Sequence, residues 1–314
     1  MEYLLWLQNL RCDILNVILM AVTDFITSPV MYLGLAILYW CFNKKAAYYI
    51  AMNLSFGSMV NQFLKNTFCI YRPWIRNSKI KPYPKAIESA TGYSFPSGHT
   101  QVAASEFLGL AMWQKKRKGI VAICIFMTLL VMFTRNYLGV HTLEDVYVSL
   151  AVSVAVIFIT DKLLRWVDNG DRRDIAVLCT GLVVSTIFLV YVSVKPYPVD
   201  HDAMGNILVP PDEMITDCYA AAGCVVGFLT GWVAERRIIG FKTDVSGKAK
   251  ALRGIFGSAG LLVIALFGRE PMQSLHIFWG EFAFFSISFF YILFIVPFLF
   301  TRAEKNILTE RNNG

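Results

Sequence analysis

Three cations, two histidines, one carboxylate and a small-residue turn recur in this chain at spacings that suit the chemistry of phosphate. Lys65 precedes Arg72-Pro73, Pro96-Ser97-Gly98-His99 follows, and Arg135, His141 and Asp145 close the series. Lys65 offers a point charge and Arg72 a planar fork, so the two can grip one anion together. Their spacing predicts two turns of one helix that ends at Pro73. Pro96 and Ser97 suit a helix start, whose free N–H groups attract anions, and Gly98 lets the backbone come close. His141 and Asp145 are one helical turn apart, so the carboxylate can hold one ring nitrogen's proton and leave the other nitrogen free to attack. Gly139 supplies a break that turns Arg135 and His141 towards one centre. Each block alone has a plainer use: a snorkelling Lys/Arg anchor, an ordinary helix cap, a His-Asp pair on a helix surface.

What surrounds the blocks favours chemistry. Of the 314 residues, 56% are hydrophobic and only 16% charged, and the mean hydropathy is +0.53. Soluble domains carry about a quarter charged residues, so the chain reads as an integral membrane protein, where ionisable groups in apolar spans are costly and usually functional. Apolar runs approaching the roughly 20 residues of a membrane helix predict an all-α, polytopic helix bundle. Helices are expected near 13 to 27, 29 to 42, 46 to 65, 99 to 114, 119 to 137, 142 to 161, 174 to 194, 214 to 234, 254 to 268 and 277 to 301.

A net charge of +7 would raise nucleic-acid binding in a soluble protein, but here the cations follow the helix gaps and no nucleic-acid partner is expected. They gather at Lys44-Lys45, at 115 to 118, at 162 to 173, at 236 to 253, and in a tail with Arg302, Lys305 and Arg311. By the positive-inside rule these gaps, and both termini, are cytoplasmic. The three chemical blocks then fall on the extracytoplasmic face. Arg76, Lys79, Lys81 and Lys85 depart from the rule in the 66 to 98 loop, as cations beside an anion site would.

The seven cysteines show no CxxC pair and read as buried thiols. Residues 2 to 10 read as a short interfacial helix, with no cleavable signal peptide. Asp200-His201-Asp202 fits no strong metal signature and reads as a solvated loop. Asp217 and Glu281 are expected to cap their helices, although lining a substrate vestibule is the alternative. Gly223, Gly227 and Gly231 predict a close helix approach.

Taken together, KxxxxxxRP, PSGH and RxxxxxHxxxD, from Lys65 to Asp145, resemble the signature of the type 2 phosphatidic acid phosphatase superfamily of lipid phosphate phosphatases. One position departs: Thr134 stands where the family usually has Ser, and it keeps the hydroxyl. The resemblance implies a six-helix phosphatase core, residues 1–161; residues 162–314 lie outside it and are expected from their apolar runs to add about four transmembrane helices to the same membrane domain. It implies that His141 attacks phosphorus to form phosphohistidine, that Asp145 orients it, and that His99 is the general acid for the leaving alkoxide. Lys65, Arg72, Ser97, Gly98 and Arg135 would hold the phosphate oxygens, with no metal or other cofactor. The expected partner is a membrane lipid phosphate, a monoester or a diphosphate, hydrolysed at the outer face of the plasma membrane with a bell-shaped pH profile. A lipid-linked phosphotransferase with the same site is the alternative, as is a transporter or flippase with a phosphatase-like site. A vanadate haloperoxidase shares the motifs but not the membrane setting.

Overall fold

The computed structural model describes the backbone of residues 1–313 and the side chains of residues 1–304, so Lys305 and Arg311 lie outside the described side chains. Helices account for about four-fifths of it, and the extended structure among the described residues is one isolated bridge between His201 and Ile207. In chain order they are α1 (Glu2–Asn9), α2 (Asp13–Ile26), α3 (Pro29–Ile37), α4 (Lys44–Phe68), α5 (Pro73–Arg76), α6 (Pro84–Glu88), α7 (Gly98–Ala103) and α8 (Gly109–Trp113). Then come α9 (Lys118–Tyr137), α10 (Leu143–Asp168), α11 (Arg173–Val194), α12 (Pro211–Ala234), α13 (Gly247–Phe267), α14 (Arg269–Leu275), α15 (Ile277–Phe290) and α16 (Val296–Asn313). Wider π-helical turns extend α3 to Phe42 and α12 to Ile239, and join α7 to α8 and α15 to α16.

All ten expected helices are present, and six are both long and apolar enough to cross a membrane: Lys118–Tyr137, Leu143–Asp168, Arg173–Val194, Pro211–Ile239, Gly247–Phe267 and Ile277–Glu304. The chain is therefore a polytopic all-α membrane protein. The other four owe their lower apolar content or length to position. At 25 residues α4 is long enough, but it buries Asn53, Ser55, Asn61, Lys65 and Asn66 in the bundle interior, where protein and not lipid surrounds them. The α7–α8 segment opens at the site, and α2 and α3 have 14 and 9 residues.

Those two helices correct the expected topology. Leu7 packs with Leu19, Ala86, Tyr137 and Val140, Lys81 N donates to Gln8 Oε1 (2.7 Å), and Cys12 N donates to the Tyr137 hydroxyl (3.1 Å). Residues 2–12 thus lie at the end of the bundle that holds the 66 to 98 loop, not at the opposite end. Trp40, at the end of α3, is at that opposite end, where its carbonyl accepts from Arg253 Nη1 (3.2 Å). Accordingly α2 and α3 together make one traverse, broken at Ser28-Pro29, where proline starts a helix but cannot continue one. Hydropathy scores apolar length and carries no information on direction, so two short helices read as two crossings.

Packing follows the small-residue rule. A side chain at Gly223 or Gly227 would run into the carbonyl oxygens of Phe282 or Ser286, so α12 and α15 touch backbone to backbone. Ser286 Oγ adds a hydrogen bond to Gly223 O (3.1 Å). The largest apolar cluster joins α4, α10, α11 and α12 through Tyr48, Tyr49, Ile157, Val177, Phe228 and Trp232, and it fixes α4 as the central helix.

Candidate active site

The site forms where α4, α7, α9 and α10 meet the 69 to 97 loop. Lys65 is buried in the last turn of α4, with Nζ donating to Tyr93 O (3.1 Å). The chain then turns sharply: Cys69 adopts a left-handed conformation (φ 49°) and ends the helix. Arg72 is consequently not on a helix with Lys65, as the spacing predicted. It caps α5, and Pro73 takes the first helical position, where its missing N–H costs nothing. The reversal, not a shared helix face, brings both cations into the same electrostatic field.

Arg72 is held rigidly. Its guanidinium donates to the carbonyls of Gly92 (3.0 Å), Thr91 (2.5 Å) and Val140 (3.1 Å), and Nη1 lies 2.9 Å from His141 Nε2. A guanidinium can only donate, so Nε2 presents its lone pair and the neutral ring carries its proton on Nδ1. That proton faces Asp145 Oδ2 at 3.4 Å. Burial first, and the Arg72 charge second, push the His141 pKa down to about 3, so the imidazole is unprotonated at neutral pH.

Asp145 is itself fixed by two donors to Oδ2, Ser94 Oγ (2.5 Å) and Thr142 N (2.7 Å). Thr142 Oγ1 accepts in return from Asp145 N (3.4 Å), which completes a capping box at the start of α10. The Thr-x-x-Asp pattern carries that signal in the sequence. Ser94, which also lies 3.5 Å from His141 Nδ1, belongs to no motif and escaped the sequence reading.

Arg135 closes the far side. It is fully buried in the last turn of α9, with Nη1 donating to Thr23 Oγ1 (3.3 Å), while Nε and Nη2 have no partner among the described residues. The backbone then folds back over it: Val140 N and His141 N both donate to Arg135 O (3.1 and 3.3 Å), and Gly139 has φ +77°, a conformation that disfavours a side chain. Asn136 Nδ2 pins the other end through His141 O (3.0 Å). Thr134 turns its hydroxyl to Val131 O of its own helix (2.7 Å), away from this chemistry.

Ser97 caps α7 as expected, its hydroxyl accepting from Thr100 N (3.4 Å) and Thr100 Oγ1 (3.1 Å). Its own N–H is taken by Asp145 O (3.0 Å), so that donor is not free for an anion. At Gly98 an added Cβ would meet nothing within 4 Å, which leaves the helix start open. His99 Nε2 is buried without a partner among the described residues, within the electrostatic reach of Arg135, His141, Arg72 and Lys65.

Of the other sequence candidates, Asp200 accepts from the Tyr71 hydroxyl (2.7 Å) and Asp202 closes its own turn with Met204 N and Asn206 N. Among the described residues no group of three His, Cys, Asp or Glu side chains is placed to hold a metal. Neither Asp217 nor Glu281 caps a helix: Glu281 pairs with Arg269 (2.7 Å), and Asp217, inside α12, lies in the field of Lys65.

Two family models match separate parts of the chain: the PAP2 superfamily over residues 44–168, and the PAP2 superfamily phosphatase transmembrane extension over residues 219–307. Phosphatidylglycerophosphatase B of Escherichia coli (strain K12) and that of Shigella flexneri are each 36% identical over 81 residues, 25% of this chain and 32% of the relative. The match therefore spans about a third of the length of these curated relatives. No solved structure matches the chain. With core and extension models in sequence order on one helical membrane bundle, the chain belongs to the PAP2 superfamily of membrane phosphatases.

Proposed function

We propose that this chain is a lipid phosphate phosphatase that works through a phosphohistidine on His141. The observation that carries the reading is the His141 ring itself: neutral, its Nε2 lone pair set against the Arg72 guanidinium and its Nδ1 backed by Asp145. A phosphate bound by Arg72 would exchange the Arg72–Nε2 contact for contacts to its oxygens, and would sit in front of the nucleophile. Nε2 then forms the N–P bond as the P–O bond to the lipid breaks, and His99, protonated when the phosphate dianion offsets the surrounding cations, gives that proton to the departing alkoxide and is left neutral. Water next attacks phosphorus, returns a proton to His99, and releases inorganic phosphate and free His141.

Lys65, Arg72, Arg135 and the Gly98 N–H stabilise the charge on the non-bridging oxygens. The unpartnered nitrogens of Arg135 are the donors such an anion satisfies. Ser97 serves through its cap, which aims the start of α7 at the site. Residues 1–161 carry the site, and residues 162–314 form the extension of the same membrane domain. The loop cations favour an extracytoplasmic site, and we take the membrane to be the plasma membrane. Substrates to test are phosphatidate, lysophosphatidate, a sphingoid-base phosphate, a polyprenyl diphosphate and, from the name of the relatives, phosphatidylglycerophosphate.

The deciding experiment measures phosphate release from this panel in detergent with ¹⁸O-labelled water. Label in the released phosphate, with a trapped phosphoenzyme that His141→Ala abolishes, is the expected result. Phosphate delivered to a second lipid instead would make the chain a phosphotransferase, and turnover by His141→Ala would end the mechanism.

A further inference from the structure

Residues 2–26 lie outside both family matches, yet they reach the turn that carries His141. Arg11 stands at the elbow where α1 and α2 meet, a bend of 119°. Its Nε donates to Tyr137 O (2.7 Å) and its Nη1 to Lys81 O, so one side chain joins the end of α9 to the outer loop. The Tyr137 hydroxyl returns the contact to Leu10 O (3.3 Å), and Tyr83 N ties the loop to Leu138 O (2.9 Å).

We infer that Arg11 is a positioning residue for His141, an inference that rests on the reaction proposed above. An arginine suits the place for two reasons. Its planar fork serves two carbonyls at once, and its charge complements the negative end of α9. Arg11 Nη2 also fills the space beside Gly139, where a Cβ would lie 2.5 Å from it, so it packs against the one residue whose left-handed backbone forms the turn. Beyond Gly139 comes Val140, whose carbonyl accepts from the same Arg72 Nη1 that faces His141 Nε2. A shift of the turn therefore disturbs the nucleophile and its phosphate-binding neighbour together.

The test compares Arg11→Gln and Arg11→Lys with the wild-type full chain and His141→Ala. Three quantities are read: kcat and KM on phosphatidate in mixed micelles, thermal stability, and the ¹⁵N resonances of the histidine rings. Misplacing a reacting group by about 1 Å costs on the order of 100-fold in rate. Arg11→Gln should lower kcat by about that factor with KM within about twofold, and should displace the His141 ring signals. Arg11→Lys, which keeps the charge and loses the fork, should recover part of the rate. If Arg11→Gln does not fold, Arg11→Lys decides by the same readouts. Wild-type kcat with unmoved His141 resonances in a folded variant would overturn the inference. Should wild type release no phosphate, or His141→Ala keep its rate, the proposed reaction fails, and the ring signals alone still decide whether Arg11 positions His141.

Discussion

The candidate site and the opposite end of the bundle both gather charge, and they treat it differently. At the end away from the candidate site, cations meet carboxylates: Lys44 with Glu235 (2.8 Å), Arg236 with Asp168 (3.1 Å), Arg237 with Asp174 (2.5 Å), Arg253 with Glu304 (2.8 Å). At the other end Lys65, Arg72 and Arg135 are each at least 94% buried, and none makes a salt bridge among the described residues. Their hydrogen bonds go to carbonyls and a hydroxyl; Asp145 is turned to His141, and Asp217 and Asp24 act on Lys65 and Arg135 only through their fields. Buried charge without a counter-ion lowers stability, whereas paired charge secures the helix ends. The contrast is what the proposed reaction requires: paired charge that secures helix ends away from the site, and cations without salt bridges at it.

The sharpest way to break this contrast is His141→Ala. Phosphate release should fall by more than about 10³-fold, and retention of even a tenth of the rate would remove His141 from the reaction. Next, Arg135→Met should cost about 10²–10³-fold in kcat with unchanged or higher thermal stability, because it removes a buried cation that makes no salt bridge and leaves two nitrogens without a partner among the described residues. Arg253→Met should do the reverse: it strands Glu304 and the carbonyls of Trp40 and Lys242, lowering stability by about 3 kcal/mol while kcat of the folded fraction stays near wild type. If these two variants behave alike in a paired melting and turnover assay, the two ends are not specialised.

Smaller effects sharpen the picture around the imidazole. Ser94→Ala removes one of two donors that fix Asp145 and should slow turnover by about tenfold. Arg72→Met removes the second cause of the low His141 pKa. The protonated ring is then less disfavoured, and its titration, followed by ¹⁵N NMR, should move up from about 3 towards neutrality. The low wild-type value also means that no acid limb near pH 6.5 is expected from His141; a limb there belongs to another group.

Much of this was legible in the residues. Helix positions followed from apolar length, and Arg72 and Asp145, which contact the His141 ring, were named from type and spacing. Two things were not legible. The shared face expected for Lys65 and Arg72 presumed a helix that continues to proline, whereas the chain turns at Cys69, which carries no turn signal of its own. Ser94 and Arg11 make contacts with partners 51 and 126 residues away, and no local pattern encodes such distances.

Because α2 and α3 share a single passage, the segment before Asp13 and the turn between α10 and α11 belong to different aqueous compartments. A reporter fused ahead of α1 would sample the same side of the bilayer as His141, and one spliced at residues 169 to 172 would sample the other. Impermeant probes applied to sealed vesicles should therefore reach one tag and spare its counterpart, which gives the side of the bilayer that His141 faces without an activity measurement.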